Sequence, residues 1–149
     1  MAPSGAIFHF KTNNMKKYIV LCFLLAIIGK SYAQEVKVVF DVTSGDEKIH
    51  QSTMRHVKMM SNAYPDSEFE VVVYSGALNM MLKDKSSVRK EVEDILKNEN
   101  ITMNVCAMTL KRREMTQSDL ISGVGQVPDG ILEIVDKQSK GWGYIKEAN

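Results

Sequence analysis

Five short segments of the chain have the apolar pattern of β-strands. They lie at residues 36–42, 69–74, 101–106, 123–127 and 142–146. In the third segment, Met103 and Val105 alternate with Asn104 and Cys106, which is the period of a strand whose side chains point to opposite faces. Cys106 is therefore predicted on the more polar face, at the carboxyl end of its strand.

Between these segments, apolar residues recur at helical spacing. Helices are predicted at 46–64, from Ser86 or Ser87 to Asn98, and from Pro128 to Gly141, with a short helical turn at 77–82 and one or two helical turns at 116–120. In the last helix, the side chains predicted to face inward are Ile131, Leu132, Val135 and Gln138. Because strands and helices alternate, we expect an α/β fold with a mainly parallel sheet of about five strands and helices on both faces.

The N-terminal residues have the pattern of an export signal. A basic pair at 16–17 precedes an apolar run at 18–28, and Ser31 and Ala33 occupy the small positions before a cleavage site. We predict cleavage between Ala33 and Gln34, and therefore a periplasmic or secreted protein. The apolar run is shorter than the roughly 20 residues that a membrane span needs, so we expect no stable span after cleavage.

This interpretation divides the chain into three parts. Met15 is the predicted initiator, so residues 1–14 are predicted to be a non-native extension and residues 15–33 the signal peptide. Residues 34–149 form one mature domain, which would keep 15 of the 19 basic residues beside 18 acidic ones, a net charge of −3. Such a domain lacks the basic excess of nucleic-acid binders, so we expect no nucleic-acid partner.

Cys106 is the candidate reactive group, because Cys22 would be lost with the signal peptide. A single thiol in an exported protein indicates a free reactive group or pairing between chains. The basic run at 111–113 follows it, and nearby positive charge favours the thiolate. Glu114 would oppose ionisation, and a lone cysteine at a strand end is commonly a small buried hydrophobe, so both interpretations stay open.

No pattern typical of a cofactor or metal site is present. The turn at 43–46 contains one glycine and meets neither the dinucleotide nor the phosphate-loop pattern. His50 and His56 lie six residues apart on a predicted helix, about 240° around its axis, so they cannot share a metal ion. We expect His50 to be exposed, and we expect no cofactor and no metal.

Several segments, in order, resemble the DsrE/DsrF-like family, and the likeness extends over residues 35–147. They are the strand and turn at 37–46, the stretch Cys106-x-x-Thr109-Leu110 with Arg113 after it, Val127-Pro128-x-Gly130 with 133–134, and Gln138-x-x-Gly141-Trp142-x-Tyr144 with 145–146. The chain is most similar to exported, single-domain members. The resemblance implies a compact α/β sandwich that assembles as a homotrimer or homohexamer.

The resemblance also implies a function. In sulfur-relay members, a cysteine at this strand end accepts sulfane sulfur as a persulfide and passes it to a partner protein. Cys106 is the matching position, and Thr109 and Arg113 match the loop that follows it. The resulting prediction is a periplasmic sulfur carrier, similar to a sulfurtransferase, that works with a sulfur donor and a sulfur acceptor protein.

Two alternatives remain at this point. The first is a non-catalytic oligomeric module that binds a ligand or a protein and keeps the fold without the chemistry. The second is a thiol redox sensor, which predicts a Cys106–Cys106 disulfide between subunits. A Cys106→Ala variant with unchanged function and stability would favour the binding module.

Overall fold

The computed structural model describes residues 35–148, which form an open five-stranded sheet flanked by helices. The strands are β1 (Lys37–Val42), β2 (Glu68–Val73), β3 (Ile101–Cys106), β4 (Gly125–Val127) and β5 (Gly143–Glu147). All neighbouring strands are parallel, in the order β4-β3-β2-β1-β5. The predicted fold class is confirmed.

The predicted extension (1–14), signal peptide (15–33) and cleavage site lie outside the described residues. No helix within residues 35–148 is both long and apolar enough to cross a membrane.

Four α-helices and two short 3₁₀ helices connect the strands. The α-helices are α1 (Glu47–Ala63), α2 (Arg89–Ile95), α3 (Ala107–Arg112) and α4 (Gly130–Ser139), and the 3₁₀ helices are Ser75–Met81 and Gln117–Asp119. Helix α4 begins two residues later than predicted, because Asp129 is its cap and accepts hydrogen bonds from the amides of Ile131 (2.9 Å) and Leu132 (3.2 Å). Gly141, with φ of 85°, ends it as predicted.

One face of the sheet, called here the apolar face, carries the main hydrophobic core. Every inward-pointing strand residue in the middle of this face is apolar and buried: Val38, Phe40, Val42, Phe69, Val71, Val73, Ile101, Met103 and Val105. Helices α1 and α2 and the 3₁₀ helix Ser75–Met81 pack against them. Val57 of α1 and Val92 of α2 are fully buried, as the helical spacing predicts.

The opposite face, called here the polar face, is built differently. Its strand residues include Val39, Asp41, Glu70, Val72, Asn104 and Cys106. Within the described part of the chain, only α4 covers it, and the apolar cluster under α4 has three buried members, Val39, Val72 and Ile134. A charged group completes the contact, because Lys137 of α4 lies 2.6 Å from the buried carboxylate of Glu70 and 4.2 Å from the ring centroid of Trp142.

The predicted inner face of the last helix is wrong. Ile131, Leu132 and Val135 are 60%, 65% and 55% exposed, whereas Gly130 and Ile134 are buried. The rotation of α4 follows from what it meets on the sheet. Ile134 and Lys137 lie one turn apart on the same side and contact an apolar cluster and a carboxylate, so the side with more apolar residues is left facing outward.

Candidate functional site

The candidate site lies on the polar face, at the carboxyl ends of β1, β2 and β3. In the register of the sheet, Val73 lies opposite Val105, so the next residues, Tyr74 and Cys106, lie side by side. Asp41 points to the same face from β1, where it lies opposite Val72. The sheet thus places a thiol and a phenol side by side, with a carboxylate on the same face two residues further back in the register, near the reactive edge of an open α/β sheet.

Two helix starts meet at the thiol. Cys106 is the cap residue of α3, and the first residue of α4, Gly130, packs against it. A Cβ atom on Gly130 would lie 3.2 Å from Cβ of Cys106 and 3.3 Å from Cδ1 of Tyr74, which is tighter than ordinary contacts. A glycine at position 130 therefore lets the amide end of α4 approach Cys106 closely, and the thiol is only 6% exposed.

This environment favours the thiolate. Burial opposes ionisation of Cys106, but hydrogen bonding from the backbone of Gly130, Thr109 and Met108 and from the Thr109 hydroxyl more than offsets it, so the pKa of Cys106 is lowered. The Thr109 oxygen also accepts a hydrogen bond from the Ser75 amide at 3.2 Å, which leaves its own proton free for the sulfur.

The turn after β2, which holds Thr109 in place, has a strained backbone. Ser75 has φ of 57°, in the left-handed region that residues other than glycine rarely adopt. Its amide is the group held by Thr109, which is itself buried. Strained backbone of this kind persists where the surroundings enforce it, and such positions concentrate at functional sites.

The three residues predicted for the site have different surroundings. Cys106 and Thr109 lie together, while Arg113 caps the far end of α3 and is exposed. Helix α3 has six residues, which corresponds to a length of about 9 Å. The largest contributions that lower the pKa of Cys106 come from amides and the Thr109 hydroxyl. The role of Arg113 therefore stays a prediction.

A polar cluster that the sequence analysis did not identify adjoins the thiol. Asp41 is 5% exposed, and its Oδ2 accepts a hydrogen bond from the Tyr144 hydroxyl at 2.7 Å and lies 3.0 Å from Nζ of Lys146. Its Oδ1 is buried and accepts no hydrogen bond from any described residue. Lys146 also donates to the Thr43 hydroxyl at 2.8 Å, which holds its ammonium at this edge of the sheet.

Tyr74 links this cluster to Cys106. Burial, then the charge of Asp41 and hydrogen bonding to it, raise the pKa of Tyr74 to about 12, with smaller contributions from Cys106 and Asp129. Burial and the hydrogen bond to Asp41 likewise raise the pKa of Tyr144 to about 12. Both phenols therefore remain hydrogen-bond donors at neutral pH. The alternation of β1 and β2 was the available signal for Asp41 and Tyr74, since both share the face of Cys106.

His50 and His56 both lie on α1, and each contacts a polar group. His50 is buried, with Nε2 2.9 Å from the carbonyl oxygen of Ser44, so the expectation that it is exposed is wrong. His56 pairs with the buried carboxylate of Glu147 at 2.9 Å. Among residues 35–148, no group of three or more His, Cys, Asp or Glu side chains is arranged to hold a metal ion.

Two solved structures share this fold. One is described as a protein of unknown function, MTH1491 from Methanobacterium thermoautotrophicum. It is 28% identical in sequence and has a TM-score of 0.71, and the aligned region covers 75% of this chain and 99% of the MTH1491 chain. The other is the ychN protein from E. coli, which is 16% identical in sequence and has a TM-score of 0.64. The aligned region covers 74% of this chain and 98% of the ychN chain. No curated protein matches the chain.

The family assignment rests on a match along most of the chain. The model of the DsrE/DsrF-like family matches residues 36–146, which include all five strands up to the penultimate residue of β5. The match spans Cys106, Thr109 and the α4 segment that meets the thiol. The chain therefore belongs to the DsrE/DsrF-like family, which is associated with sulfur relay in general.

Proposed function

We propose that the protein accepts sulfane sulfur on Cys106 as a persulfide and relays it to a recipient thiol. The observation that carries this proposal is the set of hydrogen-bond donors around Cys106, which lowers the pKa of a thiol at the carboxyl edge of the sheet. Thiol exchange requires a thiolate, and donors that stabilise the thiolate also stabilise it as a leaving group.

The transfer is an exchange of one sulfur atom in two steps. The Cys106 thiolate attacks the sulfane sulfur of the donor, a new S–S bond forms, and the donor leaves as a thiolate. A recipient thiolate then attacks the outer sulfur, the Cys106 S–S bond breaks, and its electron pair returns to Cys106. No net oxidation occurs, and no metal or cofactor takes part in either step.

The burial of Cys106 bears on the donor and on the alternatives. At 6% exposure, the thiol suits a small donor such as inorganic polysulfide, which reaches it without bringing a protein surface close. The same burial argues against the redox sensor, because two Cys106 sulfurs would have to approach to about 2 Å. It favours the binding module as the second candidate, since a buried lone cysteine is often only a packing residue.

Intact-mass analysis after incubation with polysulfide tests the proposal, with Cys106→Ser beside the unmodified protein. We expect the unmodified protein alone to gain the mass of one sulfur atom and to lose it on reduction. A protein that gains no sulfur and also resists alkylation in the native state would make Cys106 a packing residue. The binding module would then be the better explanation.

We also propose that the chain assembles as a homotrimer or homohexamer through α4. Ile131, Leu132 and Val135 form an exposed apolar stripe on a helix that begins beside Cys106, and large apolar side chains grouped in this way mark interaction surfaces. Sedimentation equilibrium tests this, and Leu132→Glu is expected to yield a monomer. Met59→Glu, at an exposed position of α1, is the matched control and should leave the assembly intact.

The proposed location is the periplasm or the cell exterior. Its support is the export pattern of residues 16–33. N-terminal sequencing of the protein from fractionated cells is expected to begin at Gln34. A protein recovered from the cytoplasm with an intact N-terminus would contradict this location without affecting the chemistry of Cys106.

A further inference from the structure

A second concave site lies on the apolar side of the sheet, between α1 and α2. This α1–α2 groove has a volume of about 450 Å³, which is within the range of small-molecule sites. Its floor consists of four buried apolar side chains, Met54, Val88, Ile95 and Ile101. Ile101 begins β3 and Cys106 ends it on the opposite face, so about 17 Å of strand separates the groove from the thiol.

The two walls of the groove carry opposite charges. Arg55 and Lys58 line it from α1, and Glu91 and Asp94 line it from α2. The amide side chains of Gln51, Asn62 and Asn98 add hydrogen-bonding groups to the lining. An apolar floor between a basic wall and an acidic wall is more specific than an apolar crevice, because it selects ligands by the position of their charges as well as by size.

The opposite charges do not neutralise each other across the gap. Among the described residues, no ion pair within 4.0 Å joins the two walls, and the partner of Asp94 is Lys97, two residues beyond the end of α2, at 2.7 Å. The hydrogen bond and charge of Lys97 lower the pKa of Asp94 most, followed by the charge of Lys90 and then by that of Lys58 on the opposite wall. The walls therefore face each other within electrostatic reach but remain too far apart to pair directly.

We propose that the α1–α2 groove binds a small zwitterion with an apolar body, of which a short apolar peptide is the simplest example. Its carboxylate would lie against Arg55 and Lys58, and its ammonium group against Glu91 and Asp94. Its apolar side chains would cover the floor of the groove. A ligand with one charge would leave one wall uncompensated, and an uncharged ligand would use neither wall, so both are expected to bind more weakly.

Calorimetric titration of the protein with the dipeptide leucyl-leucine tests this inference. The acetylated and amidated form of the same dipeptide, which has no terminal charges, is the matched ligand. We expect the free dipeptide to bind at least tenfold more tightly than the capped one. An equal affinity of the two forms, or no heat of binding with either, would overturn the proposal.

Single substitutions then locate the site. Lys58→Gln and Glu91→Gln are each expected to weaken binding of the free dipeptide severalfold, and Lys90→Gln, on the same helix but outside the lining, should not. Binding that is unchanged in both Lys58→Gln and Glu91→Gln would contradict the assignment. Cys106→Ser should bind the free dipeptide as tightly as the unmodified protein does. This proposal and the sulfur-relay proposal therefore succeed or fail separately.

Discussion

The two faces of the sheet are built on different principles, although they share the same strands. On the apolar face, valine, phenylalanine and methionine side chains pack against three helical segments in one continuous core. On the polar face, a single helix packs Ile134 against two buried valines of the sheet, Val39 and Val72, and pairs Lys137 with Glu70. The apolar face supplies most of the burial that stabilises the fold.

The thinly covered polar face also carries the candidate site. Asp41 and Cys106, at the strand ends of this face, are buried, and Cys106 contacts the first residue of α4. The backbone amides of two helix starts replace water around the sulfur. The comparison indicates that most of the stabilising burial lies on one side of the sheet and the candidate site on the other.

The largest effect is expected from a truncation in the apolar face. Phe40 is fully buried and packs against Phe69, so Phe40→Ala should lower the free energy of unfolding by about 3–5 kcal/mol. Urea denaturation followed by circular dichroism measures this loss. Met59→Ala, at a 60% exposed position of α1, is the control and should change stability by less than about 0.5 kcal/mol. Equal losses in the two variants would contradict the assignment of the core.

The next effect concerns the charged contact of the polar face. Lys137→Met leaves the buried Glu70 carboxylate without its cation, which should lower the free energy of unfolding by about 3 kcal/mol. The double variant Glu70→Gln with Lys137→Met removes both charges and should recover much of the loss. A neutral Lys137→Met, measured in the same urea titration, would show that the pair does not hold α4 on the sheet.

A smaller effect is expected at the rim, where β5 meets α1. His56→Ala leaves the buried Glu147 carboxylate without its hydrogen bond, and the expected cost is about 1 kcal/mol because His56 is itself partly exposed. His56→Gln restores a hydrogen-bond donor to Glu147 and should recover part of the lost free energy of unfolding. A loss in His56→Ala no greater than that in Met59→Ala would show that the pair is not stabilising.

The smallest expected effect concerns the reactivity of Cys106 on the polar face. Thr109→Val removes one donor to Cys106, so the pKa of the thiol should rise and alkylation by iodoacetamide at pH 7 should slow about two- to tenfold. Thr109→Ser keeps the hydroxyl and is the matched control. A pH profile of alkylation for Thr109→Val that overlays that of the unmodified protein would remove Thr109 from the site.

The same lowered pKa links the thiol to stability. Since the pKa of Cys106 is lower in the folded protein than in the unfolded chain, the thiolate contributes stability above the unfolded value of about 8.5. This contribution is lost as the pH falls through the folded pKa. Cys106→Ser should lack this pH dependence, which urea denaturation at several pH values can measure.

Local patterns predicted the elements well where one side of a helix meets a large apolar surface. In α1, Ile49, Thr53 and Val57 recur at helical spacing and all three are buried, because the sheet beneath them is apolar throughout. In α4, the same reasoning chose Ile131, Leu132 and Val135, which are exposed. The spacing was equally helical in both, but the sheet under α4 carries Glu70, and a carboxylate selects a lysine as its neighbour.

The candidate site shows the same division. The position of Cys106 at a strand end was predictable from alternation, and Thr109 followed from the family resemblance. The basic run was the visible source of positive charge, yet amides and a hydroxyl dominate around the sulfur. A helix starting near Ala107 would be expected to turn its amides toward Cys106, but the approach of Gly130, which is 24 residues away in the chain, could not be predicted because it depends on how α4 packs on the sheet.

The sequence by itself determined the alternation of strands and helices along the chain, apart from the short helix α3, together with the parallel α/β class and the place of Cys106 at the end of β3. These properties depend on periodicity and on short connections, which are local. Only the tertiary structure decided which side of α4 is buried, that Gly130 brings a second helix start to Cys106, and that Tyr144 and Lys146 of β5 contact Asp41. These depend on contacts between segments far apart in the chain, whose geometry is set by the packing of the whole sheet.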